Sequence, residues 1–421
     1  MVKRVIALFI IITSLELFNF AFISKEITKV AEIAGIGVIL LVIVLQLIYH
    51  KGEGFRMTFK WEVGLILLAL VTSMFMAYSA HNQNFQTTLI AQRFMYFYFF
   101  YYALHMLRIP DTELEKIILY LALIYVFFYI IQYFAYPTII FRVRVIEERG
   151  TIRIFQVGLS YMILAYFYVL NRSFDKLSLR GIGMLFLFFS VIILMGTRQL
   201  LFSMFLLTML NILMSRKVKS KLMVILLAMF AAIPVVLMFQ DIFTSIISLS
   251  KEQSVGFEEN IRVLAGTFFL TEFFPNNLAY LTGNGADSAN SGYGMTIQMY
   301  KDVFGFYQSD VGIIGDYSKF GILFLAGVFS ILYRTLKTSF SDDLNYIKYF
   351  FLFVILTGIT GAGPFGDANS IVTISIILYL ADVDKHNREL EEEEQALAGS
   401  DPDAVANTAE ENPVENKIGR A

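Results

Sequence analysis

The sequence predicts an all-α fold: a polytopic integral membrane protein of about twelve transmembrane helices, with one long external loop between helices 9 and 10. Three observations carry that prediction. Of the 421 residues, 57% are hydrophobic and only 16% charged, a balance that excludes an ordinary soluble domain. Apolar runs of roughly 17 to 23 residues recur along almost the whole chain, each able to cross about 30 Å of hydrocarbon as a helix. Most of them lack the polar face that a soluble helix shows every few residues. The third observation is an alternation of positive charge between successive connections.

The runs lie at approximately 5–23, 31–49, 61–79, 89–107, 116–135, 154–170, 181–196, 199–214, 222–240, 311–333, 348–361 and 369–383. The first, "VIALFIIITSLELFNFAFIS", has the apolar centre of a signal peptide. It is long and lacks a clear small-residue cleavage site, so it reads as a retained helix. With the N-terminus inside, the inside connections are "MVKR", "HKGEGFRMTFK", "LRIPDTELEK", "NRSFDKLSLR", "SRKVKSK" and "YRTLKTSFSDDLNYIK", and each holds at least two Lys or Arg. The outside segments "SAHNQNFQTT" and "GAGPFGDANS" hold none. This positive-inside pattern predicts a multi-pass protein with both termini in the cytoplasm. Residues 1–383 then form the transmembrane domain, with external loops at about 136–153 and 241–310. Residues 384–421 are acidic and poor in aromatics, and predict a disordered cytoplasmic tail. Net charge of −2 points to no class of partner, and the absence of cysteine excludes disulfides and thiolate metal sites.

Two outside connections break the charge rule. The loop "PTIIFRVRVIEERGTIR" carries Arg142, Arg144, Arg149 and Arg153, which either bind a substrate or pair with Glu147, Glu148 and lipid headgroups. The connection 241–310 carries Arg262 and is far longer than a helix-to-helix turn needs. Within it, "FEENIRVLAGTFFLTEFFP" reads as an amphipathic helix ended by Pro275, with Phe257, Ile261, Leu264, Ala265 and Phe268 on one face. Glu258 and Arg262 are spaced to pair on its surface. The turn-rich "LTGNGADSANSGYG" follows; its Gly-Asn-Gly, with Asn284 at the centre, is weak evidence for phosphate binding.

Lone charges inside apolar surroundings mark the candidate site. The run 181–214 is too long for one crossing and suits two short ones, so the chain must turn near Gly196–Thr197. Arg198 then stands at the outer mouth of a helical hairpin, close to the first turn of its second helix. Free N–H groups there favour an anion, and a guanidinium strengthens such a site; the alternative is snorkelling to the headgroups. Arg93 lies near the outer end of the fourth run, beside the aromatic stretch "FMYFYFFYY", which reads as lipid and interface packing or as a sugar platform. "YQSDVGIIGDYSKFGIL" re-enters the membrane with Ser309, Asp310, Asp316 and Lys319 at its outer edge. Asp316 and Lys319 are spaced to pair on one helix face. Asp310 has no local partner and is the better candidate for a general base or sugar ligand. The four histidines are scattered and form no metal-ligand set, and no nucleotide loop or nucleophile elbow occurs. There is no internal repeat of the kind that builds duplicated-half transporters.

The order of these parts resembles the bacterial O-antigen polymerase and O-antigen ligase family of membrane glycosyltransferases, over roughly residues 90 to 380. The resemblance rests on the span count, "GTRQLLFSM" at a hairpin, the long external loop with its arginine helix, "GNG", and "SDVGIIGDYSKFGIL". It implies a polysaccharide polymerase (of O-antigen, lipopolysaccharide or capsule type) in the bacterial inner membrane, with its active site facing outward. Such an enzyme transfers a glycan from undecaprenyl pyrophosphate to the terminal sugar of another lipid-linked repeat unit. It implies no cofactor and no metal, with Arg198 and Arg262 holding the pyrophosphate and Asp310, near the place of the ligases' loop histidine, as the third catalytic candidate. Arg93, Arg142, Arg144, Arg149, Arg153, Asn284 and Ser309 are the expected substrate-binding residues. The partners implied are the lipid-linked oligosaccharide, membrane lipids, and flippase and chain-length regulator proteins, with no nucleic acid. Ligases carry a histidine in the long loop and this chain has none there, which favours the polymerase. A lipid-linked oligosaccharide flippase is the competing expectation, and it has no need of a long external loop.

Overall fold

The computed structural model describes residues 2–49, 57–148, 151–176, 178–218, 220–221, 244, 260–358 and 365–400. The protein is mostly helical, at 77%. Its helices are α1 (Val2–Ser14), α2 (Lys25–Tyr49), α3 (Lys60–His81), α4 (Phe85–Ala91), α5 (Phe99–Leu107), α6 (Asp111–Ala135), α7 (Leu159–Ser173), α8 (Leu179–Leu194) and α9 (Arg198–Met214). They continue as α10 (Ile261–Thr267), α11 (Asn277–Thr282), α12 (Gly292–Phe304), α13 (Ile313–Lys337), α14 (Tyr346–Gly358) and α15 (Ala368–Ser400).

Four of them, α2, α3, α6 and α13, are long and apolar enough to cross a membrane, against the dozen crossings expected. The shortfall has local causes. The first run stops being α-helical at Ser14, where the Thr13 and Ser14 hydroxyls donate back to the Ile10 and Ile11 carbonyls. Glu16 to Asn19 then take positive φ, a left-handed turn that is costly for non-glycine residues and persists only when its surroundings hold it. The fourth run divides into α4, a 3-10 turn over Arg93–Tyr98, and α5. The runs of α8, α9 and α14 form shorter apolar helices, and 222–240 lies outside the described residues.

The fold is not purely helical. The external loop after α6 closes as a hairpin of β1 (Val145–Glu148) and β2 (Thr151–Ile154), antiparallel, with Val145 opposite Ile154 and Glu148 opposite Thr151. Only after this hairpin does α7 begin, so the sixth run starts as strand.

α15 is the centre of the bundle. Ile371, Ile374, Ile376, Ile377, Leu378 and Leu380 are all fully buried, as a helix apolar on every side must be. The aromatic stretch packs against it. Phe97, Tyr98, Phe100 and Tyr101 are fully buried, the Tyr98 hydroxyl donates to the Phe365 carbonyl at 3.1 Å, and the Tyr101 hydroxyl to Asp382 at 2.6 Å. These rings are core, not a lipid belt or a sugar platform. The tail expected to be disordered from residue 384 is helical through Ser400. Asp384 accepts from the Ser341 backbone N–H at 3.2 Å and pairs with Arg388, so α15 is held beyond the bundle before its acidic run.

The connections collect at two ends. At one end Arg4 pairs with Glu113, Asn171 donates to the Asp342 carbonyl at 2.8 Å, and Lys217 pairs with Asp175 at 2.7 Å. At the other lie the Arg142 loop against Asn19, the β-hairpin against the α8–α9 turn, and the segment 283–291 against the end of α3. Arg4, Arg172 and Lys217 lie at the first end, while the second holds the neutral segment after α3 together with Arg142, Arg144 and Arg153.

Candidate functional site

The predicted turn is present. α8 ends at Leu194, Gly196 adopts φ +58°, and α9 begins at Arg198 after an extended Thr197. The β-hairpin lies on this turn. The Thr151 hydroxyl donates to the Leu194 carbonyl at 2.9 Å, capping an exposed end of α8. Arg153, only 8% exposed, spends its guanidinium on the same feature: Nε donates to the Met195 carbonyl at 3.0 Å, Nη2 to the Thr197 hydroxyl at 3.2 Å, and Nη1 to Glu148 at 2.8 Å. Arg153 is therefore a brace beneath Arg198, and its pairing with Glu148 is the structural alternative weighed for this loop. Arg198 is half-buried at the first turn of α9. Its neighbour Gln199 donates Nε2 to the Leu356 and Thr357 carbonyls at 2.7 and 3.0 Å, tying this turn to the end of α14.

The other candidate arginines are also placed. Arg142 donates to the Ile23 carbonyl at 2.6 Å and to Asn19 at 3.5 Å, so it ties the loop after α6 to the α1–α2 connection. Arg144 is exposed, with its guanidinium 5.7 Å from the Phe155 ring centre. Arg149 lies outside the described residues. Arg93 pairs with Glu32, buried on α2, and donates to the Ile90 carbonyl at 3.2 Å. An interior partner of this kind is what an arginine within an apolar run requires. Glu32 was itself legible as a lone acid in "VAEIAG".

Among the described residues the long connection holds the three helices α10, α11 and α12. Ala265, Phe269, Phe273, Tyr293, Ile297 and Val311 form a small core joining α10, α12 and the 3-10 turn Gln308–Val311. The apolar face of α10 differs from the expected one: Ile261 and Leu264 are 49% and 46% exposed, while Ala265 and Phe269 are buried. A π-turn follows at Phe268–Glu272, where the Phe273 N–H donates to the Phe268 carbonyl five residues back, and it resets the faces of the residues after it. Phe257 and Glu258 lie outside the described residues.

This unit carries Arg262, Asp310 and Ser309, all exposed. Only the backbone N–H of Arg262 is engaged, by Asn260 Oδ1 at 3.0 Å; among the described residues its guanidinium has no hydrogen bond or ion pair. The Asp310 carboxylate accepts from the Ser309 hydroxyl at 3.4 Å. Arg262 and Asp310 thus share one external unit, while Arg198 and Arg153 share the α8–α9 turn.

The Gly-Asn-Gly stretch is not an open anion loop. α13 breaks at Gly321, with φ 73° and ψ −172°. A break in a membrane span frees carbonyls that must find donors. The Asn284 and Gly285 N–H groups supply them, donating to the Ser318 and Lys319 carbonyls at 3.1 and 2.7 Å. Asn284 is fully buried; its Nδ2 also donates to the Ser318 carbonyl at 3.1 Å, and its Oδ1 lies 3.1 Å from His81 Nε2. A side chain has no room here: a Cβ on Gly285 would lie 2.7 Å from that of Ala77. Asn284 is a clasp between α3, the loop and the break.

The Asp316–Lys319 pair does not form. Asp316 turns into the bundle beneath Gly366 and is only 8% exposed, while Lys319 stays at its edge. Asp316 Oδ2 has no hydrogen-bond partner. No cluster of metal-ligating residues occurs among the described residues. No protein-family model, curated protein or solved structure matches this chain.

Proposed function

We propose that this chain is a membrane polysaccharide polymerase of the bacterial inner membrane, acting on the outer face. It transfers a glycan from undecaprenyl pyrophosphate to the terminal sugar of a second lipid-linked repeat unit. The observation that carries the reading is the placement of Arg198. It stands at the first turn of α9, on a turn braced by Arg153 and by Gln199. A diphosphate on a lipid lies at headgroup level. Arginine forks match its oxygens bidentately, and the first-turn N–H groups of a helix favour the same anion. Arg262 supplies a second cation on the external unit, with Asp310 beside it on the adjoining turn. Arg198 and Arg262 stabilise the charge that develops on the leaving group.

A flippase is the second reading, favoured by the break in α13, since discontinuous helices line transport sites. Here the carbonyls freed at the break are occupied by the external loop, which supports the enzyme. Extraction of lipid-linked sugars from a strain lacking the gene separates the two. Single repeat units facing outward are expected; inward-facing repeats would reassign the chain to transport. Because the chain has no cysteine, single cysteines test orientation cleanly. Ser309→Cys should label from outside and Arg216→Cys only after permeabilisation.

A further inference from the structure

Buried carboxylates without partners are rare in folded proteins, because desolvation of the charge is left uncompensated. Asp316 is 8% exposed, and its Oδ2 has no hydrogen-bond partner among the described residues. It lies five residues before the break in α13, and a Cβ on Gly366 would be 2.8 Å from its Oδ1, so the backbone leading into α15 rests directly on the carboxyl. That backbone is fixed. The Phe365 carbonyl accepts from Tyr98, and Asp367 caps α15 by accepting from the Ser370 N–H at 3.0 Å. Asp367 is exposed, and both it and Lys319 lie within electrostatic reach of Asp316. Gln199, next to Arg198, holds the last turn of α14 through the Leu356 and Thr357 carbonyls, and Gly366, just before α15, lies over Asp316. Asp310, by contrast, is exposed to water, where a base invites hydrolysis of the donor.

We infer that Asp316, rather than Asp310, receives a hydroxyl of the acceptor sugar and takes its proton; the inference rests on the polymerase reading. The acceptor oxygen gives a lone pair to the anomeric carbon of the donor glycan and forms the new C–O bond, as its proton passes to a carboxylate oxygen of Asp316. The anomeric C–O bond to pyrophosphate breaks, and its electron pair leaves with undecaprenyl pyrophosphate toward Arg198. The proton is then released to water.

The test uses the full-length protein in the deletion strain. Wild type restoring long polymer establishes the reading; wild type failing to do so removes it and the inference together. Given a working wild type, Asp316→Asn keeps the shape but cannot accept the proton. Polymer should fall at least about a hundredfold, the scale of a lost general base, with single lipid-linked repeats accumulating. The unfolding midpoint in detergent should equal or exceed that of wild type, since an orphaned charge has been removed. Asp316→Glu should retain a measurable fraction of polymer. Wild-type polymer from Asp316→Asn at matched protein level overturns the inference. So does loss of polymer accompanied by a lowered midpoint, which would mark Asp316 as structural.

Discussion

Arg153 and Arg262 carry the same side chain in two long connections, and the protein treats them in opposite ways. Arg153 is buried, with Nε, Nη1 and Nη2 all committed to the α8–α9 turn and Glu148. Arg262 is exposed, with a guanidinium that holds nothing among the described residues. A buried arginine must have every donor matched, so it serves the fold. An exposed one with free donors contributes little to folding and is available to a ligand. An arginine that breaks the positive-inside rule is thus only half a functional signal. Its hydrogen-bond account supplies the other half.

The largest effect expected from this contrast is at Arg262. Arg262→Ala should lower polymer synthesis about a hundredfold to a thousandfold, the usual loss for one donor to a developing anion, or about 2.7–4 kcal/mol. Its stability should stay within about 0.5 kcal/mol of wild type, as for most surface substitutions. Chain length and yield at matched protein level check both parts, and wild-type chain lengths would return Arg262 to the ordinary surface. Next comes Arg153→Ala, which removes the donors that reach Glu148, the Thr197 hydroxyl and the Met195 carbonyl. It should cost about 1.5–3 kcal/mol in detergent unfolding, with polymer falling only as far as folded protein does. A thousandfold loss with unchanged stability would move Arg153 into the binding machinery.

A smaller effect is expected from Arg262→Lys. Charge is kept and the fork is lost, so polymer yield should fall between wild type and the alanine variant. Equality with alanine would mean that bidentate geometry is everything at this position; equality with wild type would mean that charge alone suffices. The smallest effect belongs to Arg144, which only lies over Phe155 in the open. Arg144→Ala should change unfolding by no more than about 0.5–1 kcal/mol and leave chain length untouched. A collapse of chain length here would show that the hairpin arginines do meet substrate.

What was legible in the sequence followed from composition and local pattern. Lone charges in apolar runs marked Arg93 and Arg198, and the turn at Gly196 followed from run length against helix rise. These rules act over a few residues or over the membrane as a whole, and they need no knowledge of neighbours.

Tertiary structure alone decided the rest. The aromatic stretch before α5 has the composition of a membrane belt, yet it is core, because the buried first half of α15 stands beside it and is covered on every side. The buried face around α10 is supplied by Ala265, Phe269 and Phe273 because the core they join comes from α12 and the turn before α13. Spacing paired Asp316 with Lys319, whereas packing put Asp316 under Gly366 and left it unpartnered. Gly-Asn-Gly was readable as a turn, but its donors were claimed by a break in another helix 36 residues past Gly285, at Gly321. By itself the sequence determined which segments are apolar and where charge is anomalous, since those are properties of the residues themselves. Whether each anomalous group was paired, buried or free was decided by its neighbours, which come from segments far away along the chain.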